Sequence, residues 1–152
     1  MRITAIFAVL AMATSGASAQ QFDTPIDLLR TLYLSYISGV EIHDFSAYFS
    51  DDLTQKLNGQ RIGQAELRAL GVDPITGGKD WQISSFEIHP LSEDGRSADV
   101  DVSFVNFRQP VSLSFELVWE PVHGWQIDHI SGRAGDVEWC TRDVISLTQP
   151  SP

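Results

Sequence analysis

Polar residues, several of them carboxylates, occupy alternate positions along segments that we expect to be neighbouring strands, and carboxylates are the side chains that bind cations. The candidate partner-binding residues on this face are Glu87, Asp99, Asp101, Glu116 and Asp128. Glu87, Asp101 and Glu116 are expected to lie side by side in one row, which also makes them candidate metal ligands. Carboxylates opposite one another on adjacent strands repel, typically by about 0.2–1 kcal/mol. Alternating charge is ordinarily a solvated face, but this cost suggests a cationic ligand, either a metal ion or a basic partner protein.

A histidine and two tyrosines form a second candidate constellation. His129 is expected on the core face of the last strand, where Tyr33 or Tyr36 from the first helix could meet it for general acid–base chemistry. A histidine on an apolar face is more often a hydrogen-bonded core residue than a catalyst. The strands place no carboxylate beside it to act as a base, so enzymatic activity is the alternative interpretation.

Other kinds of chemistry lack their sequence signatures. The chain contains no H-x-x-x-H, C-x-x-C, G-x-S-x-G or glycine-rich phosphate loop, so we predict no cofactor. His43, His89 and His123 do not have the spacing of metal ligands. The formal net charge is −10 and the basic residues are scattered, which argues against nucleic-acid binding.

The first nineteen residues resemble a secretory signal peptide. Arg2 gives a positive start, Ile3 to Ala13 form a short apolar run, and Ala17-Ser18-Ala19 fits the cleavage site. We therefore expect a periplasmic or secreted protein that begins at Gln20. The apolar run is too short to cross a membrane, so no membrane association is predicted.

Cys140 is the only cysteine of the chain, so no internal disulfide is expected. In an oxidising compartment such a residue is either buried and inert, or reactive towards other molecules. Because free cysteine is among the most buried residue types, we expect Cys140 to be a small buried hydrophobe.

The segment from Trp81 to Ile130 is predicted to form four antiparallel strands in a meander. Apolar and polar residues alternate with period two over 97–107 and 111–119, which is typical of strands with one buried face. We expect three-residue loops at 93–95 and 122–124, each ending in a glycine with positive φ, and a four-residue loop at 107–110.

These loops fix the register of the sheet. Phe86 is then opposite Val102, Phe104 opposite Leu113, and Trp119 opposite Ile127. One row of the core face reads Ile88, Val100, Leu117, His129. The row behind it, on the opposite face, reads Glu87, Asp101, Glu116, Ile130.

Helices are expected to cover the sheet. The first is capped by Thr24, with Pro25 in its first turn, and closes at Gly39. A second helical stretch is predicted over 45–57, with a break at Ser50 left open, and a third over 64–70. The segment 136–148 fits either a helix or an edge strand. We expect one domain over 20–148 and a disordered tail at 149–152.

This arrangement resembles the ketosteroid-isomerase and nuclear-transport-factor-like superfamily, whose helices pack on a curved sheet to form a cone, a cystatin-like α+β fold. More narrowly, the chain is similar to an uncharacterised family of small exported bacterial domains in that superfamily. The residues that carry the likeness are Leu28–Tyr36, Asp73-Pro74, Lys79-Asp80-Trp81 and Gly124-Trp125-Gln126-Ile127-Asp128. The resemblance implies the fold, whereas the family brings no established activity.

The sequence thus predicts an α+β protein with helices packed on an antiparallel meander. The leading function is an exported, non-enzymatic binding protein that acts through the acidic sheet face or the cone pocket. One alternative is an isomerase- or hydratase-type enzyme that uses His129 with a helix-one tyrosine. Another is an inhibitor or immunity protein for a basic partner. Whether the protein forms a homodimer is left open.

Overall fold

The computed structural model describes residues 21–40, 42, 44–59 and 73–142. The elements are α1 (Pro25–Ile37), α2 (Asp51–Gly59), β1 (Ile83–Glu93), β2 (Ser97–Asn106), β3 (Gln109–Glu120), β4 (Gly124–Ala134) and β5 (Val137–Cys140). The five strands form one antiparallel sheet whose order follows the chain. The α+β class is therefore confirmed. The predicted leader 1–19, third helix 64–70 and tail 149–152 lie outside the described residues.

Helix α1 begins and ends as predicted. The Thr24 hydroxyl accepts a hydrogen bond from the Asp27 backbone N–H at 3.1 Å, and Pro25 occupies the first turn. Gly39 follows the helix with φ of +71°, a conformation that glycine adopts without a steric penalty. The buried side chains share one stripe of the helix: Pro25, Leu28, Leu29, Leu32, Tyr33 and Tyr36. This stripe faces the sheet.

The prediction of a helix over 45–50 was wrong, because this segment pairs with the edge of β4 instead. The Ser50 N–H donates to the Ile127 carbonyl at 2.9 Å, and the Ile127 N–H donates to the Tyr48 carbonyl at 2.7 Å. Helix α2 begins only at Asp51, where the Ser50 hydroxyl accepts from the Leu53 N–H at 3.0 Å. Backbone groups at a strand edge thus compete successfully with the local helical pattern.

The β1–β2 register differs from the prediction by two residues. The difference begins at the turn, where Ser92 lies opposite Asp99, three residues from the predicted register. The irregularity at Leu91 reduces it to two, so Ile88 lies opposite Val102 and Pro90 opposite Val100. The glycine of the turn, Gly95, has the expected positive φ of +87°. A shift of two residues keeps the apolar side chains on the expected face, but it changes every lateral neighbour.

The β2–β3 loop is shorter than predicted, with two residues rather than four. Phe104 lies opposite Val111, and Phe107 adopts a φ of +55° in the tight turn. Tertiary hydrogen bonds hold this strained conformation. The Phe107 N–H donates to the Gln82 carbonyl at 3.1 Å, and the Asn106 side chain donates to the Thr76 carbonyl at 3.1 Å.

The predicted faces of His129 and Ile130 were wrong. Leu117, rather than the predicted Trp119, lies opposite Ile127. The next pair is Glu116 with His129, so Asp128 is an extra residue that forms a bulge. A bulge inserts one extra residue and exchanges the faces of the residues that follow it. Ile130 therefore joins the core with no exposed surface. His129 lies on the opposite face of the sheet.

The 136–148 segment, for which helix and edge strand were both open, begins with a strand. Residues 137–140 form β5, which pairs with the second half of β4. In this pairing Trp139 lies opposite Gly132, where an added Cβ atom would come within 2.4 Å of the indole. Glycine is therefore required at this position by the close approach of Trp139.

The main core lies between α1 and the face of the sheet that we call the helix face. Tyr33 is at its centre, with its ring 4.7 Å from Phe86, 5.5 Å from Phe104 and 6.3 Å from Phe115, measured between centroids. The segment 73–81 closes one side, where the Trp81 indole N–H donates to the Tyr36 carbonyl at 3.1 Å. Aromatic packing therefore fills the helix face.

Candidate ligand-binding groove

The face of the sheet opposite α1 carries a groove of about 800 Å³, a volume in the usual range for small-molecule sites. We call this side of the sheet the groove face. The lining residues that matter most chemically are Asp101, Ser103, Ser112, Ser114, Ser131 and Cys140. Strands β2 to β5 supply these side chains, so the groove lies on regular hydrogen-bonded strands.

Serine hydroxyls form the floor of the groove. The register places Ser103 opposite Ser112 and Ser114 opposite Ser131, so four hydroxyls lie together on three adjacent strands. Ser114 donates a hydrogen bond to an Asp101 carboxylate oxygen at 2.7 Å. Within the described part of the chain, the hydroxyls of Ser112 and Ser131 have no hydrogen-bond partner. These two groups are available to a polar ligand.

Charged side chains line the two sides of the groove. On the β1 side, His89 Nε2 lies 3.3 Å from a Glu87 carboxylate oxygen. On the β5 side, the Arg133 guanidinium pairs with Glu138. Half-buried Asp101 lies between them, and in the described residues its carboxylate has no cationic partner. The centre of the groove is therefore negative.

The predicted row of three carboxylates does not form. Glu87 lies opposite Ser103, and Asp101 lies opposite Ser114, so serines separate the acidic side chains. Glu116 is in a different row from both. The cause is the combined two-residue shift of the β1–β2 and β2–β3 registers. The structure therefore does not bring these three residues together as ligands of one metal ion.

Glu116 has a different acidic neighbour, Asp99, directly across from it. Each of the two carboxylates has its own partner. The Arg142 guanidinium donates to Glu116, and the Ser92 hydroxyl donates to Asp99 at 2.8 Å. The hydrogen bond with Glu116 is the main cause that raises the pKa of Arg142. Local partners thus relieve the repulsion expected between these carboxylates.

The predicted tyrosine–histidine pair lies on two sides of the sheet. Tyr33 and Tyr36 belong to the helix face, where the Tyr33 hydroxyl donates to the Ile75 carbonyl at 2.9 Å. Burial is the main cause that raises the pKa of Tyr33 well above its ordinary value. His129 lies opposite Glu116 and therefore belongs to the groove face. The sheet separates the two groups, so they cannot act together on one substrate.

His129 instead contacts the cysteine that lines the groove. Its Nε2 lies 3.4 Å from the Cys140 sulfur, and its Nδ1 lies 2.7 Å from the Thr141 hydroxyl oxygen. The same hydroxyl accepts a hydrogen bond from the Ile130 N–H at 3.1 Å. The expectation that Cys140 is fully buried was wrong, because the residue is only half-buried.

A second group of ligating side chains lies at the β3–β4 turn. Asp51, Glu120 and His123 place one ligand atom each within 4.8 Å of one another. However, a Glu120 oxygen already accepts the Asp51 N–H at the start of α2, at 3.3 Å. The positive end of a helix also disfavours a cation. Asp128, a predicted partner-binding residue, lies nearby, where it accepts a hydrogen bond from Ser50 at 2.7 Å.

Sequence reasoning identified Asp101 but not the site to which it belongs. The four serines were visible as the polar half of the strand alternation, although only the register shows that they are neighbours. The contact between His129 and Cys140 had no signal in the sequence. It depends on the bulge at Asp128, which reverses the direction of the histidine.

Comparison with known proteins found no relative of this chain. Protein-family models, curated proteins and solved structures all gave no match to the chain. Within the described residues, none of the helices combines the length and apolarity needed to span a bilayer.

Proposed function

We propose that this chain is an exported, non-enzymatic binding protein that holds a small organic cation in the groove. The half-buried Asp101 carboxylate, on a floor of serine hydroxyls, is the observation that carries the proposal. The proposal includes a periplasmic or secreted location, as the leader sequence favours. It also includes the cone-shaped fold of the nuclear-transport-factor-like superfamily, which the packing of α1 across a long meander supports.

The charge of the groove favours a cation. Arg133 and Glu138 offset each other, and His89, which lies opposite Asp101, is paired with Glu87. Among the described residues, the side chain that contacts the Asp101 carboxylate is the Ser114 hydroxyl. A unit charge about 4 Å from a carboxylate gains about 1 kcal/mol in water and about 4 kcal/mol near a protein surface. A positively charged ligand group beside Asp101 is therefore stabilised by an electrostatic attraction that a neutral group lacks.

The hydroxyl floor favours an organic ligand over a bare metal ion. A hard metal ion needs about six oxygen ligands close together, whereas neighbouring strands are about 4.8 Å apart and successive groove-face residues of one strand about 7 Å apart. This spacing suits a molecule with several amino or hydroxyl groups, such as a polyamine or an amino sugar. Ser112 and Ser131 provide hydrogen-bonding groups at these distances.

Titration calorimetry with spermidine tests the proposal, with Asp101→Asn as the critical variant. Hydrogen bonds to charged groups are worth about 1.5–3 kcal/mol, so the variant should bind about tenfold to hundredfold more weakly. Asp23→Asn is the matched control, because it removes the same charge from an exposed position before α1. Spermidine binding that is absent, or equally strong in Asp101→Asn, would refute the proposed site.

A further inference from the structure

We propose that Cys140, His129 and Thr141 form a reactive thiol site at the edge of the groove, which captures small disulfides as mixed disulfides. Three observations carry the inference: the sulfur lies within hydrogen-bonding distance of an imidazole, the imidazole is held by a hydroxyl, and the sulfur lines the groove. The preference for a cationic disulfide rests on the proposed function. The thiol chemistry does not.

The first observation is the contact between nucleophile and base. The distance of 3.4 Å between Cys140 Sγ and His129 Nε2 is within the range of a hydrogen bond to sulfur. A neutral imidazole at this distance accepts the thiol proton as the sulfur attacks. His129 is only 4% exposed, so the protein and not the solvent determines the direction of its ring.

The second observation is the orientation of the imidazole. The Thr141 hydroxyl oxygen accepts the Ile130 N–H and lies 2.7 Å from His129 Nδ1. In the tautomer that carries its proton on Nδ1, the imidazole donates to this hydroxyl, and Nε2 faces the thiol as the acceptor of its proton. The hydroxyl continues to accept that bond after the imidazole becomes positively charged.

The third observation is access and charge around the sulfur. Cys140 is half-buried and lines the groove, so a small molecule in the groove reaches it. Among the described residues, the charged groups around the pair include Glu116 across from His129, Asp128 before it in the chain, and Arg142, two residues after Cys140. Arg142 interacts electrostatically with the sulfur, in addition to its ion pair with Glu116. A cation there stabilises the negative charge that develops on sulfur.

The exchange step balances without an external oxidant. The thiol proton moves to His129 Nε2 while the Cys140 sulfur attacks one sulfur of the disulfide. The old S–S bond breaks, and the departing thiolate takes the proton from the imidazolium. The products are a mixed disulfide on Cys140 and one free small thiol. Because the chain has no second cysteine to displace the adduct, the adduct persists until another thiol arrives.

Mass spectrometry of adduct formation with 2-hydroxyethyl disulfide at pH 6 tests the site on the native protein. An ordinary cysteine is under about 1% thiolate at this pH. We expect the folded protein to react at least tenfold faster than the same chain unfolded in urea, since unfolding removes the base. Slower reaction of the folded protein would identify an inert structural cysteine and overturn the proposal.

Variants of the two supporting residues separate chemistry from folding. Loss of a general base typically lowers a rate by about 10²–10⁴-fold, so His129→Gln should react at least tenfold more slowly than native protein. Thr141→Val should also slow the reaction, whereas Thr141→Ser keeps the hydroxyl and should restore it. Far-UV circular dichroism identifies any variant that unfolds. Equal rates in native protein, Thr141→Val and Thr141→Ser would refute the positioning role of Thr141.

A comparison of disulfides separates this inference from the proposed function. Cystamine carries two positive charges, whereas 2-hydroxyethyl disulfide is neutral. After correction for their reactivity towards a free model thiol, cystamine should react faster with native protein, and the preference should fall in Asp101→Asn. Fast reaction without this preference would refute the cation site and leave the thiol site standing. A preference for cystamine at rates below those of the unfolded chain would support the cation site and refute the thiol site.

Discussion

Replacing Ile130 with alanine should strongly destabilise the protein, because the bulge at Asp128 turns this side chain into the core. Ile130 lies opposite Phe115 and has no exposed surface. The substitution removes three buried carbons, each worth about 0.8 kcal/mol of transfer free energy. The cavity left behind brings the loss in the free energy of unfolding to about 2–5 kcal/mol. In the unbulged register that the sequence predicts, Ile130 would face away from α1 and the cost would be below about 1 kcal/mol.

Urea unfolding followed by tryptophan fluorescence measures this difference. The control is Ile37→Ala, because Ile37 is 45% exposed at the end of α1 and alanine is the better helix former. We expect the control to change the free energy of unfolding by less than about 0.5 kcal/mol. If the two variants lose the same stability, the bulge and the exchange of faces are wrong, and with them the contact between His129 and Cys140.

Two further substitutions test local features of the fold. Gly132→Ala places a Cβ atom 2.4 Å from the Trp139 indole and should cost about 1–3 kcal/mol in thermal or urea unfolding; an unchanged melting temperature would contradict the packing of β5. Backbone hydrogen bonds, chiefly from the Arg96 N–H, lower the pKa of Asp94 below its ordinary value. A carboxylate whose pKa is lower in the folded state than in the unfolded state stabilises the fold at pH values above the unfolded pKa. This stabilisation is lost as the pH falls through the folded pKa. The stability difference between native protein and Asp94→Ala should therefore shrink below about pH 4, and a pH-independent difference would contradict the turn.

The elements that the sequence predicted well are those with local causes. Helix α1 follows from the capping group of Thr24 and the fixed φ of Pro25 in its first turn. The positive φ of Gly95 and Gly124 follows from the absence of a Cβ atom. The alternation along β2 and β3 gave the correct buried face because its period is two. The pairings of Ile88 in β1–β2 and of Phe104 in β2–β3 each differ from the prediction by two residues, and a shift of two keeps side chains on the same face.

The predictions that failed depend on distant parts of the chain. A two-residue turn at Phe107 requires positive φ in a residue with a side chain, and the chain adopts it because the 76–82 segment supplies hydrogen bonds. The predicted helix at 45–50 was replaced by pairing with β4, whose free edge no local pattern reveals. The acidic row failed for the same reason, since lateral neighbours depend on every loop length in turn.

The candidate sites show the same division. Alternation by itself put Asp101 and the serines on one face, because side chains of a strand point to alternate sides. Whether they became neighbours was decided by the register. The direction of His129 was decided by one bulged residue, Asp128. The Asp128 carboxylate accepts a hydrogen bond from Ser50, which is far away in the sequence. Local sequence determines which side chains can share a face, whereas tertiary hydrogen bonds to loops and strand edges decide which of them meet.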